Sequence, residues 1–155
     1  VEERQEAERR FHELVGRLDY PMLVATTRSG DEMGGCLVGF ATQCSIDPPR
    51  FLVCLSEKNR TYRLARAAQA LAVHFMPASA PDLAELFGGE TGDEVDKFAL
   101  CDWHEGPRGL PILAKCDNWF AGEIVSRLEL GDHAGFVLSP IAAHNGGSLD
   151  EFTFH

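Results

Sequence analysis

Residues 35–62, GCLVGFATQCSIDPPRFLVCLSEKNRTY, decide how the chain is read. Cys36 to Phe40 is small and apolar, the composition of a strand, and Gly39 permits another group to approach the backbone closely. Thr42, Gln43, Cys44 and Ser45 follow as a polar crossing of small or hydrogen-bonding side chains. Asp47-Pro48-Pro49 stops pairing, because proline lacks the N–H and fixes φ. Phe51 to Leu55 is a continuous apolar run, which predicts a strand covered on both faces. Ser56 to Thr61 then gathers hydroxyls, two cations and a helix start, the chemistry an anion needs.

Around this stretch the bulk composition narrows the function. The chain has 155 residues, 45% hydrophobic and 25% charged, which predicts one domain over 1–155 with a substantial core. A net charge of −10 argues against a nucleic-acid partner, since phosphate backbones need a basic face. No apolar run approaches bilayer length and no charged-then-apolar segment opens the chain, so no membrane role is expected. Five cysteines without C-x-x-C spacing argue against a disulfide framework or zinc site; Cys36, Cys54 and Cys116 read as small hydrophobes, and the compartment as reducing cytosol. The histidines show no metal-ligand spacing, so no metal is predicted.

Read in order, residues 2–18 predict an amphipathic helix, with Ala7, Phe11, Leu14, Val15 and Leu18 on one stripe. Met22 to Thr27 predicts a strand, and Arg28 to Asp31 a turn into the next strand near Met33. Tyr62 to Ala70 reads as a short helix, with Thr61 able to cap it, and Leu71 to Met76 as a strand carrying a core histidine, His74. Ser79 reads as the cap of a helix whose apolar face is Leu83, Leu86 and Phe87. The run 88–92, GGETG, lacks the spacing of a phosphate loop and reads as a helix stop, with one more helical turn over 93–99. Residues 103–111 read as loop, Cys116 to Leu130 and His133 to Ala143 as two long strands, and Glu151 to Phe154 as a final one. Trp119 reads as core packing. A strand-rich order with inserted helices predicts a mainly β fold with helical decorations, a β-barrel.

The 35–62 stretch resembles the flavin reductase-like family, FMN-binding split β-barrels that serve two-component monooxygenases. Gly35, Thr42, Ser45, Asp47, Pro48 and Pro49 carry the resemblance, with Ser56, Arg60 and Thr61 in the turn. Gly109-Leu110-Pro111, Trp119 and Gly131-Asp132-His133 extend it over most of the chain. Leu37, Gly39 and Phe40 stand where the family pattern has Thr, Asn and Ser, and Gln43 where it has Ser. The resemblance implies an NAD(P)H-dependent flavin reductase binding FMN (or FAD), a homodimer with the flavin at the subunit interface, and a partner monooxygenase. It implies that His133 lies near the nicotinamide of the donor. Phe40, Thr42, Gln43, Cys44 and Ser45 would surround the flavin ring and ribityl chain, while Ser56, Lys58, Asn59, Arg60 and Thr61 hold its phosphate. Two alternatives stay open: a flavin carrier or sensor without turnover, and a split barrel for a deazaflavin or haem-type ligand.

Overall fold

The computed structural model describes residues 1–89 and 95–147, together with the backbone of 153–154. The chain opens with helix α1 (Glu2–Val15) and the two-residue strand β1 (Tyr20–Pro21). The hairpin β2 (Leu23–Ser29) and β3 (Glu32–Val38) turns at Gly30, whose φ of 61° suits glycine. Then come β4 (Ala41–Ser45), β5 (Arg50–Ser56), helix α2 (Arg60–Ala65), β6 (Ala70–Phe75) and helix α3 (Pro81–Gly89). A 3₁₀ turn (Lys97–Ala99) leads to the small hairpin β7 (Trp103–Glu105) and β8 (Pro111–Leu113). Two long strands, β9 (Trp119–Glu129) and β10 (His133–His144), finish the main sheet, and β11 (Thr153–Phe154) pairs with β1.

Seven strands form one antiparallel sheet in the order β3-β2-β6-β9-β10-β5-β4. Its two outermost strands are consecutive in the chain, joined only by Gly39 and Phe40. One bent segment therefore borders the sheet on both sides: its first half pairs with β2 and its second half with β5. The corner is tied to the sheet by the Cys54 N–H, which donates to the Phe40 carbonyl at 2.9 Å. This is a split β-barrel, mainly β with helical decorations.

Alternation along each strand divides the core in two. Leu23, Ala25, Val53, Leu55, Phe136 and Leu138 fill the barrel interior. The opposite face of β2, through Val24, meets Met76, Leu83, Phe87, Phe98 and Leu113, where α3 and the β7–β8 hairpin cover the sheet. Gly35 allows this layer to close: a Cβ there would lie 2.6 Å from the Phe87 ring.

Several sequence expectations are corrected. The crossing Thr42–Ser45 is itself part of strand β4, which pairs with β5 through a bulge at Cys44. Val53 and Leu55 of β5 are buried while Phe51, Leu52 and Cys54 are half-buried, so β5 is fully covered on one face only. Arg28 and Ser29 continue β2, and α2 starts at Arg60, before Tyr62. Helix α3 starts at Pro81, a first-turn position suited to proline, so the cap position falls on Ala80 and not Ser79. Residues 103–111 were expected as loop, yet Trp103 to Glu105 pairs with Pro111 to Leu113. Helix α1 ends at Val15, and among the described residues none of α1 is buried; Phe11 and Leu14 of its stripe are exposed. A Cβ on Gly39 would approach only the Met22 sulfur, at 3.9 Å, so no close contact requires glycine there. The expected stop over 88–92 coincides with the end of α3 at Gly89; Glu90, Thr91 and Gly92 lie outside the described residues, as do Asp93, Glu94, Glu151 and Phe152.

Candidate functional site

Pairing of β10 with β5 brings distant parts of the sequence together. His133, the first residue of β10, sits opposite Ser56, the last of β5. Ser56 shapes the turn that follows: its hydroxyl accepts the Lys58 N–H at 3.3 Å, and its carbonyl accepts the Asn59 N–H at 3.0 Å. The Glu57 N–H donates to the Asp132 carbonyl at 3.0 Å, locking the 56–59 turn to the turn that carries His133. The His133 Nδ1–H donates to Asp132 Oδ1 at 2.8 Å, which directs Nε2 away from the turn. That imidazole, with the Lys58 charge assisting, holds the exposed Asp132 carboxyl below its usual range. Phe40 packs beside His133 with ring centroids 5.0 Å apart, and Tyr20 lies on the other side of Phe40 at 5.9 Å.

The basic turn is less open than its composition suggests. Asn59 and Thr61 direct their side chains inward to the Cys36 thiol, whose pKa burial raises despite those hydrogen bonds. Thr61 is buried, and the residue preceding α2 is Asn59, so Thr61 is not its cap. Arg60 reaches back along β3, donating to the Met33 carbonyl, with Glu32 4.0 Å from its guanidinium. Arg60 and Thr61 line a cleft of ≈460 Å³ whose other walls are the β2–β3 turn at Asp31 and Glu32 and the segment Asp96–Phe98. Lys97 is buried in that wall; its Nζ donates to the Gly35 carbonyl at 3.3 Å and the Phe87 carbonyl at 3.0 Å.

Within one chain the expected site residues fall into two groups. Phe40, Ser56, Lys58 and His133 converge at one end of β5, Arg60 and Thr61 continue into the cleft, and Asn59 turns inward to Cys36. Thr42, Gln43 and Cys44 are exposed along β4, and Ser45 pairs with Arg50 at the far end of β5. Gln43 faces Phe51, about 17 Å along the strand from Ser56 at normal strand rise. Sequence reasoning gave no role to Asp132, Tyr20 or Lys97. Asp132 was visible in the G-D-H run, and Lys97 as a lone cation before Phe98-Ala99-Leu100; Tyr20 carried no motif.

The family model of the flavin reductase like domain matches residues 15–154. The chain belongs to that family. This flavin reductase-like chain is 31% identical over 121 residues to the reductase subunit of stachydrine N-demethylase from Rhizobium meliloti, covering 76% of this chain and 51% of that protein. It thus spans about half of that relative's length. It is 26% identical over 140 residues to an FMN reductase (NADH) of Ancylobacter novellus, covering 90% of this chain and 77% of that one. Among solved structures, it resembles an FMN-binding protein from Thermus thermophilus at 28% identity and a TM-score of 0.79, over 84% of this chain and 72% of the other.

Proposed function

We propose that the chain is an NAD(P)H-dependent flavin reductase that binds FMN (or FAD) and passes reduced flavin to a separate monooxygenase. The observation that carries this reading is the pairing of His133 with Ser56. It sets an oriented imidazole, a basic turn and an aromatic face at one end of the barrel. The flavin and the nicotinamide supply the hydride chemistry. The chain's own groups bind and orient. Asp132 orients the His133 ring; His133 Nε2 would bind the nicotinamide carboxamide and Lys58 would offset phosphate charge. The relatives named above are an NADH-dependent FMN reductase and the reductase subunit of an N-demethylase, which supports both the donor and a separate oxygenase partner. The separation of Thr42–Ser45 from Ser56–Thr61 favours a homodimer, in which a second copy contributes across the site. Its free cysteines fit a reducing cytosol.

The test is anaerobic mixing of FMN-saturated protein with NADH, then with NADPH. Bleaching of the visible flavin band is expected, and the faster donor names the specificity. His133→Ala should slow bleaching roughly a hundredfold while FMN stays bound. A bound flavin that neither donor bleaches would instead mark a carrier. Unchanged bleaching in the variant would remove His133 from the site.

A further inference from the structure

Phe40 stands where the family pattern has serine, at the corner that joins the two borders of the sheet. Its backbone is fixed by the Cys54 N–H, yet 50% of the residue is exposed. Two rings frame it. Tyr20 meets it edge-on, with planes 74° apart, and His133 lies at 52° with centroids 5.0 Å apart. His133 is itself oriented by its hydrogen bond to Asp132, which leaves Nε2 as the ring's other polar atom. An exposed aromatic face held rigid, with an imidazole nitrogen on its rim, suits a flat ligand with a polar edge. A serine at position 40 would offer neither the face nor the support for His133.

We propose that Phe40, framed by Tyr20 and His133, is a stacking platform for a planar nitrogen heterocycle and determines ligand specificity at this end of the barrel. The proposal deepens the reductase reading and rests on it for the two sources of such a ring, the isoalloxazine of the flavin and the nicotinamide of the donor. Both are flat, electron-poor and edged with amides, so the same platform chemistry serves either.

The experiment compares wild type with Phe40→Leu, which keeps apolar bulk at the corner, and Phe40→Tyr, which keeps the ring. FMN affinity is read by fluorescence titration and the KM for NADH by steady-state reduction of FMN, with oligomeric state checked by light scattering. Phe40→Leu should lose roughly tenfold in one of the two, and Phe40→Tyr should stay close to wild type. A loss in FMN affinity assigns the platform to the isoalloxazine. A higher KM with unchanged FMN affinity and kcat assigns it to the nicotinamide. Leu and Tyr variants with wild-type values for both overturn the proposal, as does a change confined to oligomeric state. If the wild type binds FMN but NADH does not reduce it, the reductase reading falls and the FMN titration still decides the platform; if it binds no FMN and oxidises no NADH, both fall.

Discussion

His74 is fully buried on β6, and both ring nitrogens are engaged: Nδ1–H donates to the Val24 carbonyl at 3.0 Å, and Nε2 accepts the Leu113 N–H at 3.1 Å. That pair of contacts fixes a neutral tautomer, and burial lowers its pKa from 6.5 to about 4, opposed by the Val24 hydrogen bond. The unfolded chain takes up this proton near pH 6.5 and the folded chain only near 4. Between those values the unfolded state binds more protons, so stability rises with pH across the window and is lost on acidification, by about 3 kcal/mol for this group. Imidazole NMR should therefore show one histidine that stays neutral at pH 5.5, and urea midpoints should fall between pH 6.5 and 4.5. A folded chain whose histidines all titrate near 6.5 would contradict the assignment. The sequence predicted a core histidine here from its apolar neighbours alone. It could not reveal that Asn59 and Thr61 turn toward Cys36, because a strand thiol and a turn 23 residues later in the chain give no sign of proximity.

Between elements, Lys97 joins helix α3 to strand β3. The Phe87 carbonyl lies near the C-terminal end of α3 (Pro81–Gly89), and Lys97 Nζ donates to it while also reaching Gly35 on β3. The ammonium also lies 5.5 Å from the Phe87 ring centre. Lys97→Met keeps the aliphatic stem but removes the donor from two carbonyls, so it should destabilise the fold by about 1–3 kcal/mol and speed amide exchange in α3. Unchanged urea stability and exchange would show that α3 is held by apolar packing alone. Strands with long apolar or alternating runs, such as β2, β5, β6 and β10, were legible in the sequence. The β7–β8 hairpin was not: each partner has three residues flanked by Gly and Pro, too short for a periodic signal, and only pairing with the other defines it.

For the molecule as a whole, the exposed stripe of α1 is the main feature left unexplained by one chain. Phe11 and Leu14 are 57% and 61% exposed, although their spacing is that of a buried face. In the proposed homodimer, contact with a second copy would account for the spacing. Phe11→Glu combined with Leu14→Glu should convert a dimer to a monomer in light scattering and leave the far-ultraviolet spectrum of the barrel intact. A wild-type monomer, or a variant that remains dimeric, would exclude α1 from the contact. The mainly β architecture was readable because strand and helix periods differ. The barrel itself was expected from the strand-rich order and the family resemblance; the corner at which the chain changes partner was not, because Gly39 and Phe40 continue the apolar run of β3 and nothing local marks it. That shared border has a consequence for folding fidelity. The pleat alternates every residue, so slipping β3 by one position against β2 would exchange Cys36 and Val38, which face the barrel interior, for Met33 and Leu37, which face the α3 layer. With only two residues before β4, the same slip would pull β4 out of step with β5. The corner works as a phase lock: each flank of the barrel proofreads the other's alignment, and an inserted or deleted residue at 39–40 would break the agreement even where every side chain is kept.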